Sequence, residues 1–267
     1  MRPIPVDDPA DPRLSPFTAM RERDLVGREG RFIVEGEVTL RVMLSDRSRF
    51  SLESILISPE RAAGLDGVLA GLPEDTPVYV ANKAVMSAVT GFPIHRGVLA
   101  VGLRGAEPSL ALPPAPAPGL VVGLVGLTNH DNVGGLFRNA AAFGADGVLM
   151  DAATCDPLYR KAIRVSAGAA LTVPFARLPD GAALLAFADA HGLVPLALSP
   201  AGRETLADLT PPRRALLLLG TEGPGLPREL MARARTIRIA MAPGFDSLNV
   251  ATAGALALHH LAAGRLG

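Results

Sequence analysis

Apolar residues in the second half of the chain fall into short, almost uninterrupted runs: LVVGLVG, GVLMD, TVPFARL, LVPLALS, RALLLLG and TIRIAM. A strand with one wet face would alternate apolar and polar positions, so unbroken runs predict parallel strands covered on both faces. Helix-length segments separate the runs. The chain closes on SLNVATAGALALHHLAAGR, a helix expected to start from a Ser247 cap, with Asn249 as a second cap candidate. The first half alternates less strictly. SPFTAMRERDLV reads as a helix with Pro16 at its first position. RFIVEGEVTLRVML begins as a strand and turns helical after Gly36. SLESILIS and TPVYVAN read as strands, PERAAGLDGVLAGL (59–72) and KAVMSAVTG as helices, and RGVLAVGLR as a last strand.

Strands alternating with helices predict an α/β protein. The run PPAPAPG (113–119) is a stiff, extended spacer by composition. It divides the chain into an N-terminal arm with a small α/β domain (1–112) and a larger, mostly parallel α/β domain (120–267). The proline-rich start of the chain reads as an extended arm with no secretory signature.

Composition narrows the function classes. Formal net charge is zero, so no overall basic field draws in nucleic acid. Cys155 is alone, which excludes an intramolecular disulfide and a cysteine metal cluster. The histidines are scattered apart from the neighbours His259 and His260, which point to different helix faces, so no metal site is expected. No apolar run reaches the roughly 18 residues a membrane-spanning helix needs. The expectation is a cytoplasmic protein without membrane contact.

Three strand-to-helix junctions carry more polar and glycine residues than a turn requires. The first holds Asn129, His130, Asp131 and Asn132, with Arg138 further into the helix. The second is GTEGPGLP after the strand RALLLLG. The third leads from TIRIAM to Ser247, Leu248 and Asn249. Ligands of open α/β sheets sit at such strand ends. None of the junctions has the glycine spacing of a dinucleotide site or the Lys-Ser/Thr of a P-loop, and a glutamate would repel a triphosphate. Bared backbone groups suit a neutral or cationic heterocycle better.

The three stretches NVGGLFRNAAAFG (132–144), LLLGTEGPGLP (217–227) and IAMAPGFDSLNVATAGAL (239–256) resemble, in order, the three motifs of the SpoU-type RNA 2'-O-methyltransferases of the SPOUT superfamily. RVSAGAALTVPF (164–175) is similar to a segment between the first two motifs. GRFIVEGEVTLRVML and PIHRGVLAVG (93–102) resemble the family's accessory substrate-binding domain. Arg96 departs from that pattern, where glutamine is commoner, and Asn129-His130 replaces a common Asp-Pro.

The resemblance implies a knotted (trefoil) C-terminal domain, a homodimer with an active site completed across the interface, and S-adenosylmethionine as methyl donor to a ribose 2'-hydroxyl of rRNA or tRNA. It implies catalytic roles for Arg138, Asn132, Glu222, Ser247 and Asn249. It implies cofactor contacts from Leu219, Gly220, Thr221, Gly223, Ile239, Met241, Leu248 and Ala251, and RNA contacts from Asn132, Arg138, His95 and Arg96. Arg21, Arg23, Arg28 and Arg31 are further candidates for RNA phosphates, although Glu22, Asp24 and Glu29 among them equally suit a solvated mixed-charge helix. Asn132 could also be a helix cap, and Arg138 an ordinary surface arginine in a chain whose only lysines are Lys83 and Lys161. Two other readings remain open at this point. One is a SPOUT-like RNA-binding or ribosome-assembly protein without catalysis. The other is an ordinary nucleotide-dependent α/β enzyme.

Overall fold

A computed structural model describes residues 3–18, 26, 29–106 and 110–265. The chain forms two compact units: Met1–Ala106 with Leu158–Thr172, and Glu107–Pro157 with Val173–Gly267.

The first unit is built on a five-stranded sheet of β1 (Ile4–Pro5), β2 (Arg31–Glu35), β3 (Ser51–Ile57), β4 (Val78–Val80) and β5 (Val98–Leu103), in the order β1-β4-β3-β5-β2. β4 pairs in parallel with β1 and β3, and β5 pairs antiparallel with β3 and β2. Part of the proline-rich arm joins this sheet as the short strand β1. Pro5 has no amide hydrogen, which suits an edge position. One core of the unit gathers Phe17, Ile33, Leu56, Tyr79, Met86 and Leu99. The Lys83–Thr90 helix runs from an Asn82 cap that accepts from the Val85 amide at 2.9 Å to a left-handed Gly91, the pairing of start and stop signals that its sequence carries. Segment 59–72 is two short helices, Pro59–Gly64 and Asp66–Leu69, in place of the single expected one. Gly64 and Gly67 weaken a continuous helix, and Leu65 leaves helical geometry at the break while staying buried. Of the expected helix SPFTAMRERDLV, Ser15–Thr18 is helical, and 19–25 lies outside the described residues.

The second unit carries a seven-stranded sheet of β6 (Gly119–Leu124), β7 (Gly147–Met150), β8 (Phe175–Arg177), β9 (Val194–Leu198), β10 (Glu204–Thr205), β11 (Arg214–Leu219) and β12 (Arg235–Arg238), ordered β10-β12-β9-β11-β6-β7-β8. Every neighbouring pair is parallel. The central strands β6 and β11 are buried along their whole length, as their unbroken apolar sequence requires. All six strands expected in this half are present. β10, only two residues long, has no periodicity to betray it. Chain order departs from spatial order at the middle of the sheet: β6 leads outward to β7 and β8, while β11 returns to lie between β9 and β6.

Two features depart from a linear division at 113–119. Leu158–Thr172, which follows β7 in sequence, packs with the first unit. The proline run also belongs to the second unit and is not a bare spacer. The buried Arg214 guanidinium donates through Nη1 to the carbonyls of Pro113 (3.0 Å) and Ala117 (2.5 Å), and Arg213 Nε donates to Pro116 O at 2.7 Å. Proline leaves its carbonyls without strand partners, so an adjacent arginine with several donors can take them. Leu110, upstream of the run, lies buried in the core of this unit with Val121, Leu149 and Leu216.

Candidate active site

The first polar junction is clamped from below. After β6 the chain turns at Gly126, whose φ is +70°. The Gly126 amide donates to both carboxylate oxygens of the buried Asp151 at 3.0 and 2.9 Å. Asp151 also accepts from the Thr154 amide (2.8 Å) and hydroxyl (2.6 Å), while Arg177 Nη1 donates to the carbonyls of Asp151 and Thr154 at 2.8 and 2.7 Å. Sequence reasoning does not single out Asp151, Thr154 or Arg177; an aspartate ending an apolar strand is the one available signal. The His130–Ala142 helix then starts from Asn129, whose side chain accepts from the Asp131 amide at 2.8 Å. Asn129 is therefore the cap, and the alternative of Asn132 as a cap is set aside. Asn132 lies inside the first turn and is 6 % exposed.

The second junction folds Thr221–Gly225 into a tight turn, with the Gly225 amide donating to Thr221 O at 3.1 Å and positive φ at Gly223 and Gly225. Gly220 sits so close to this turn that a β-carbon on it would stand 2.5 Å from Gly225 C and Leu226 N. The result carries Glu222 on the turn. In the third junction Ser247 does not cap the closing helix, as expected, but donates to Asp246 Oδ1 at 3.3 Å. The helix runs Val250–Leu261, and its cap is Asn249, which accepts from the amides of Ala251 (2.9 Å) and Thr252 (3.3 Å). Asparagine at that position reaches the first free amides of a helix beginning one residue later.

The junctions meet through three side chains. Asn132 Nδ2 donates to Glu222 Oε1 at 2.9 Å, Asn249 Nδ2 donates to the same oxygen at 3.1 Å, and Asn249 Nδ2 also donates to Asn132 Oδ1 at 2.8 Å. Glu222 thus lies beside the starts of two helices, where the exposed amide ends favour a negative charge. Close helix packing supports this meeting. Gly135 faces Ala251, and Gly254 faces Leu136 and Leu219, with no room for a β-carbon at either glycine.

Glu222, Ser247 and Asn249 border a cavity of about 360 Å³. Leu219, Gly220, Thr221, Gly223, Ile239, Met241 and Leu248 also line it. Ala251 does not: it faces Gly135, and its carbonyl accepts from Asn139 Nδ2 at 2.8 Å, so its role is helix packing. The end of β9 contributes Leu198, Ser199 and Pro200, absent from the sequence expectation although SPAG after an apolar strand is a fourth polar strand end. Glu222 is the one ionisable side chain among these lining residues.

Arg138 is not in the cavity. It is exposed, about 120° around the helix from Asn132 and about 9 Å further along it. It makes no hydrogen bond or ion pair among the described residues. His95 and Arg96 are exposed in the first unit. Arg31 is paired with Glu29 and Glu53, which favours the solvated mixed-charge reading for it, and Arg21, Arg23 and Arg28 lie outside the described residues. No group of metal-ligating side chains occurs among the described residues, nor does a helix long and apolar enough to cross a membrane.

The profile of the SpoU rRNA methylase family matches residues 119–259, which contain all three junctions. A Mycobacterium bovis protein named as an uncharacterized tRNA/rRNA methyltransferase is 41 % identical over 264 residues, spanning 95 % of this chain and 90 % of that one. The chain belongs to the SpoU rRNA methylase family. A second relative, from Synechocystis and also named as an uncharacterized tRNA/rRNA methyltransferase, is 27 % identical over 87 % of this chain and 84 % of that one. The SpoU-family fold extends over both units. An AdoMet-bound rRNA methyltransferase of Sinorhizobium meliloti superposes with a TM-score of 0.83 at 23 % identity, over 99 % of each chain. The SpoU methyltransferase AviRb of Streptomyces viridochromogenes superposes with a TM-score of 0.79 at 21 % identity, over 96 % of this chain and 97 % of that one.

Proposed function

We propose that this SpoU-family protein transfers the methyl group of S-adenosylmethionine to a ribose 2'-hydroxyl of tRNA or rRNA. One observation carries the choice of ligand: the cavity at the strand ends is lined by apolar and backbone groups, and its one ionisable lining side chain is the carboxylate of Glu222. A triphosphate or dinucleotide would meet repulsion there and no basic partner. A sulfonium cation carrying an adenine suits the same walls. A volume of about 360 Å³ also falls in the roughly 300–1,000 Å³ range of small-molecule sites. This disfavours the ordinary nucleotide-dependent enzyme. The names of the relatives support RNA as the acceptor, and an RNA 2'-O ribose methyltransferase superposes with a TM-score of 0.81 at 24 % identity over 99 % of this chain.

The bound cofactor supplies an electrophilic methyl carbon; the protein's share is positioning and charge. Leu219, Ile239, Met241 and Leu248 would wall the adenine, and the backbone of Gly220, Thr221 and Gly223 would read its polar edge. Asn132, Glu222 and Asn249 hold the junctions in one arrangement and would orient the acceptor ribose towards the methyl donor. The Arg138 guanidinium offers hydrogen-bond donors and no acceptor. Its role would be electrostatic: gripping an RNA phosphate and stabilising the oxygen as its proton leaves for that phosphate or for water.

Because Arg138 does not line the cavity of its own chain, the proposal includes a homodimer in which it serves the partner's cavity. Phe245, Leu248 and Leu256, exposed at 75, 42 and 46 %, offer apolar surface for such a partner. The threaded path of the chain's end, expected from the resemblance, is also part of the proposal, as is a cytoplasmic location with the RNA. Calorimetric titration tests the ligand: S-adenosylmethionine should bind the folded protein and ATP should not. Absence of S-adenosylmethionine binding at millimolar ligand would overturn the proposal.

A further inference from the structure

Glu35, at the end of β2, is drawn to a stretch more than a hundred residues away. Arg160 Nη1 contacts its Oε2 at 2.9 Å and Arg164 Nη1 contacts the same oxygen at 3.4 Å. Both arginines lie on the Arg160–Val165 helix, within Leu158–Thr172, the stretch that packs with the first unit. The Arg160 guanidinium also sits 4.4 Å from the Phe92 ring centroid. The next residue, Gly36, has φ +98° and lies under Arg96; a β-carbon there would stand 3.0 Å from Arg96 Nη1. Glu37 follows and again meets two arginines, Arg41 at 2.9 Å and Arg61 at 3.8 Å. Two carboxylates therefore face four arginines, with Arg96 in addition.

A structural ion pair does not account for this arrangement. Glu35 is nearly buried, its side chain 11 % exposed, and one arginine would satisfy it; Arg164 is a second, with 37 % of its side chain open to solvent. Arg96 is exposed and has no ion-pair partner among the described residues. The chain as a whole has zero formal charge, so a grip on an anion has to come from local groupings such as this one. Held by Glu35, and Arg160 also by Phe92, the guanidiniums of Arg160 and Arg164 lose little freedom on meeting an anion. Their planar forks suit phosphate oxygens better than a point charge would.

We infer that Arg96, Arg160 and Arg164 form a phosphate-binding surface for the RNA backbone, assembled around Glu35. The inference rests on the functional reading above and deepens it. It assigns a role to a stretch that the sequence placed only by its likeness to a segment between two motifs. It also gives His95 and Arg96, the expected RNA contacts of the first unit, their missing companions.

The test uses the full chain and a fluorescein-labelled single-stranded RNA oligonucleotide of mixed sequence, with anisotropy followed across a range of salt. Arg160→Ala/Arg164→Ala should weaken binding about tenfold or more at low salt. For every phosphate that a variant no longer neutralises, the slope of log affinity against log salt should flatten by about 0.7. Arg96→Ala, which removes no ion pair among the described residues, should flatten it by about one such step, and it decides the matter if the double variant does not fold. Glu35→Gln should bind RNA at least as tightly as the wild type. Wild-type affinity and slope in folded Arg96→Ala and Arg160→Ala/Arg164→Ala would overturn the inference. So would polyglutamate binding as tightly as RNA with the same salt slope, which would point to an acidic protein. Titration of the same samples with S-adenosylmethionine separates the two levels: normal cofactor binding with unchanged RNA slopes sinks the surface but leaves the enzymatic reading standing.

Discussion

The side-chain amide of Asn249 donates to the side-chain oxygen of Asn132 at 2.8 Å, joining residues 117 apart in sequence. The same Asn249 caps the closing helix through its oxygen. One side chain therefore holds a helix start with one end and a neighbouring junction with the other. The two tasks can be separated. Asn249→Ala should lose both, at a cost of about 1 kcal/mol in urea unfolding. Asn249→Ser should keep the cap and near-normal stability, but a serine cannot also bridge to Asn132. Both variants should lose methyl transfer to a similar extent. A serine variant as fast as the wild type would show that the bridge does nothing for the reaction.

Gly220 tests the second junction. Its missing β-carbon would meet the backbone of Gly225 and Leu226 at 2.5 Å, and backbone cannot swing aside as a side chain can. Gly220→Ala should cost about 1–3 kcal/mol and weaken S-adenosylmethionine binding at least tenfold, read by thermal unfolding and calorimetry. Gly64→Ala, with nothing within 4 Å of the added carbon, should leave binding untouched. Equal behaviour of the two variants would remove the packing argument.

The proline run gives a third test. A chain beginning at Gly119 lacks Leu110 and the carbonyls of Pro113, Pro116 and Ala117, which leaves the buried Arg214 guanidinium with His191 O alone of its three acceptors. A chain beginning at Leu110 retains them all. The longer one should unfold at a higher temperature, and the shorter should regain stability from Arg214→Met, because an apolar side chain has no donors to satisfy. Equal melting temperatures would mean that the run is a spacer after all.

Burial pushes the Cys155 thiol up from 9.0 to about 11, with Asp156 adding repulsion of the thiolate. The folded protein thus holds this proton more tightly than the unfolded chain. The stability from that difference is complete below about pH 9 and fades as pH rises towards 11. Iodoacetamide should label Cys155 slowly at pH 8 until urea is added. Rapid labelling of the folded protein would contradict this.

Much of the second unit was legible because a parallel sheet covered on both faces writes itself as apolar runs. The junctions were legible because ligand-holding loops carry more glycine and polar residues than a turn needs. The cap of the closing helix was legible only as a choice between two residues, and that of the first junction was placed on the wrong asparagine. Ser247 and Asn249, like Asn129 and Asn132, are both competent cap residues, and only the backbone decides which one stands a single residue before the helix. The excursion of Leu158–Thr172 had no local signal at all, since Glu35 and Arg160 attract each other irrespective of the sequence between them. Arg138 was legible as a motif residue, and so was its face on the helix. An arginine six positions from Asn132 cannot share Asn132's direction in a regular helix, and that arithmetic was available from the spacing.

The most direct test of the central claim follows the methyl group itself. Transcripts of tRNA and ribosomal RNA are incubated with the protein and methyl-labelled S-adenosylmethionine, digested to nucleosides and resolved by mass spectrometry. The account predicts label in a 2'-O-methylribose nucleoside. The single-turnover rate should fall about 10²-fold in Arg138→Ala and recover partly in Arg138→Lys, with melting temperature and cofactor affinity unchanged in both. Label on a base, no label in any transcript, or a wild-type rate in Arg138→Ala would contradict it.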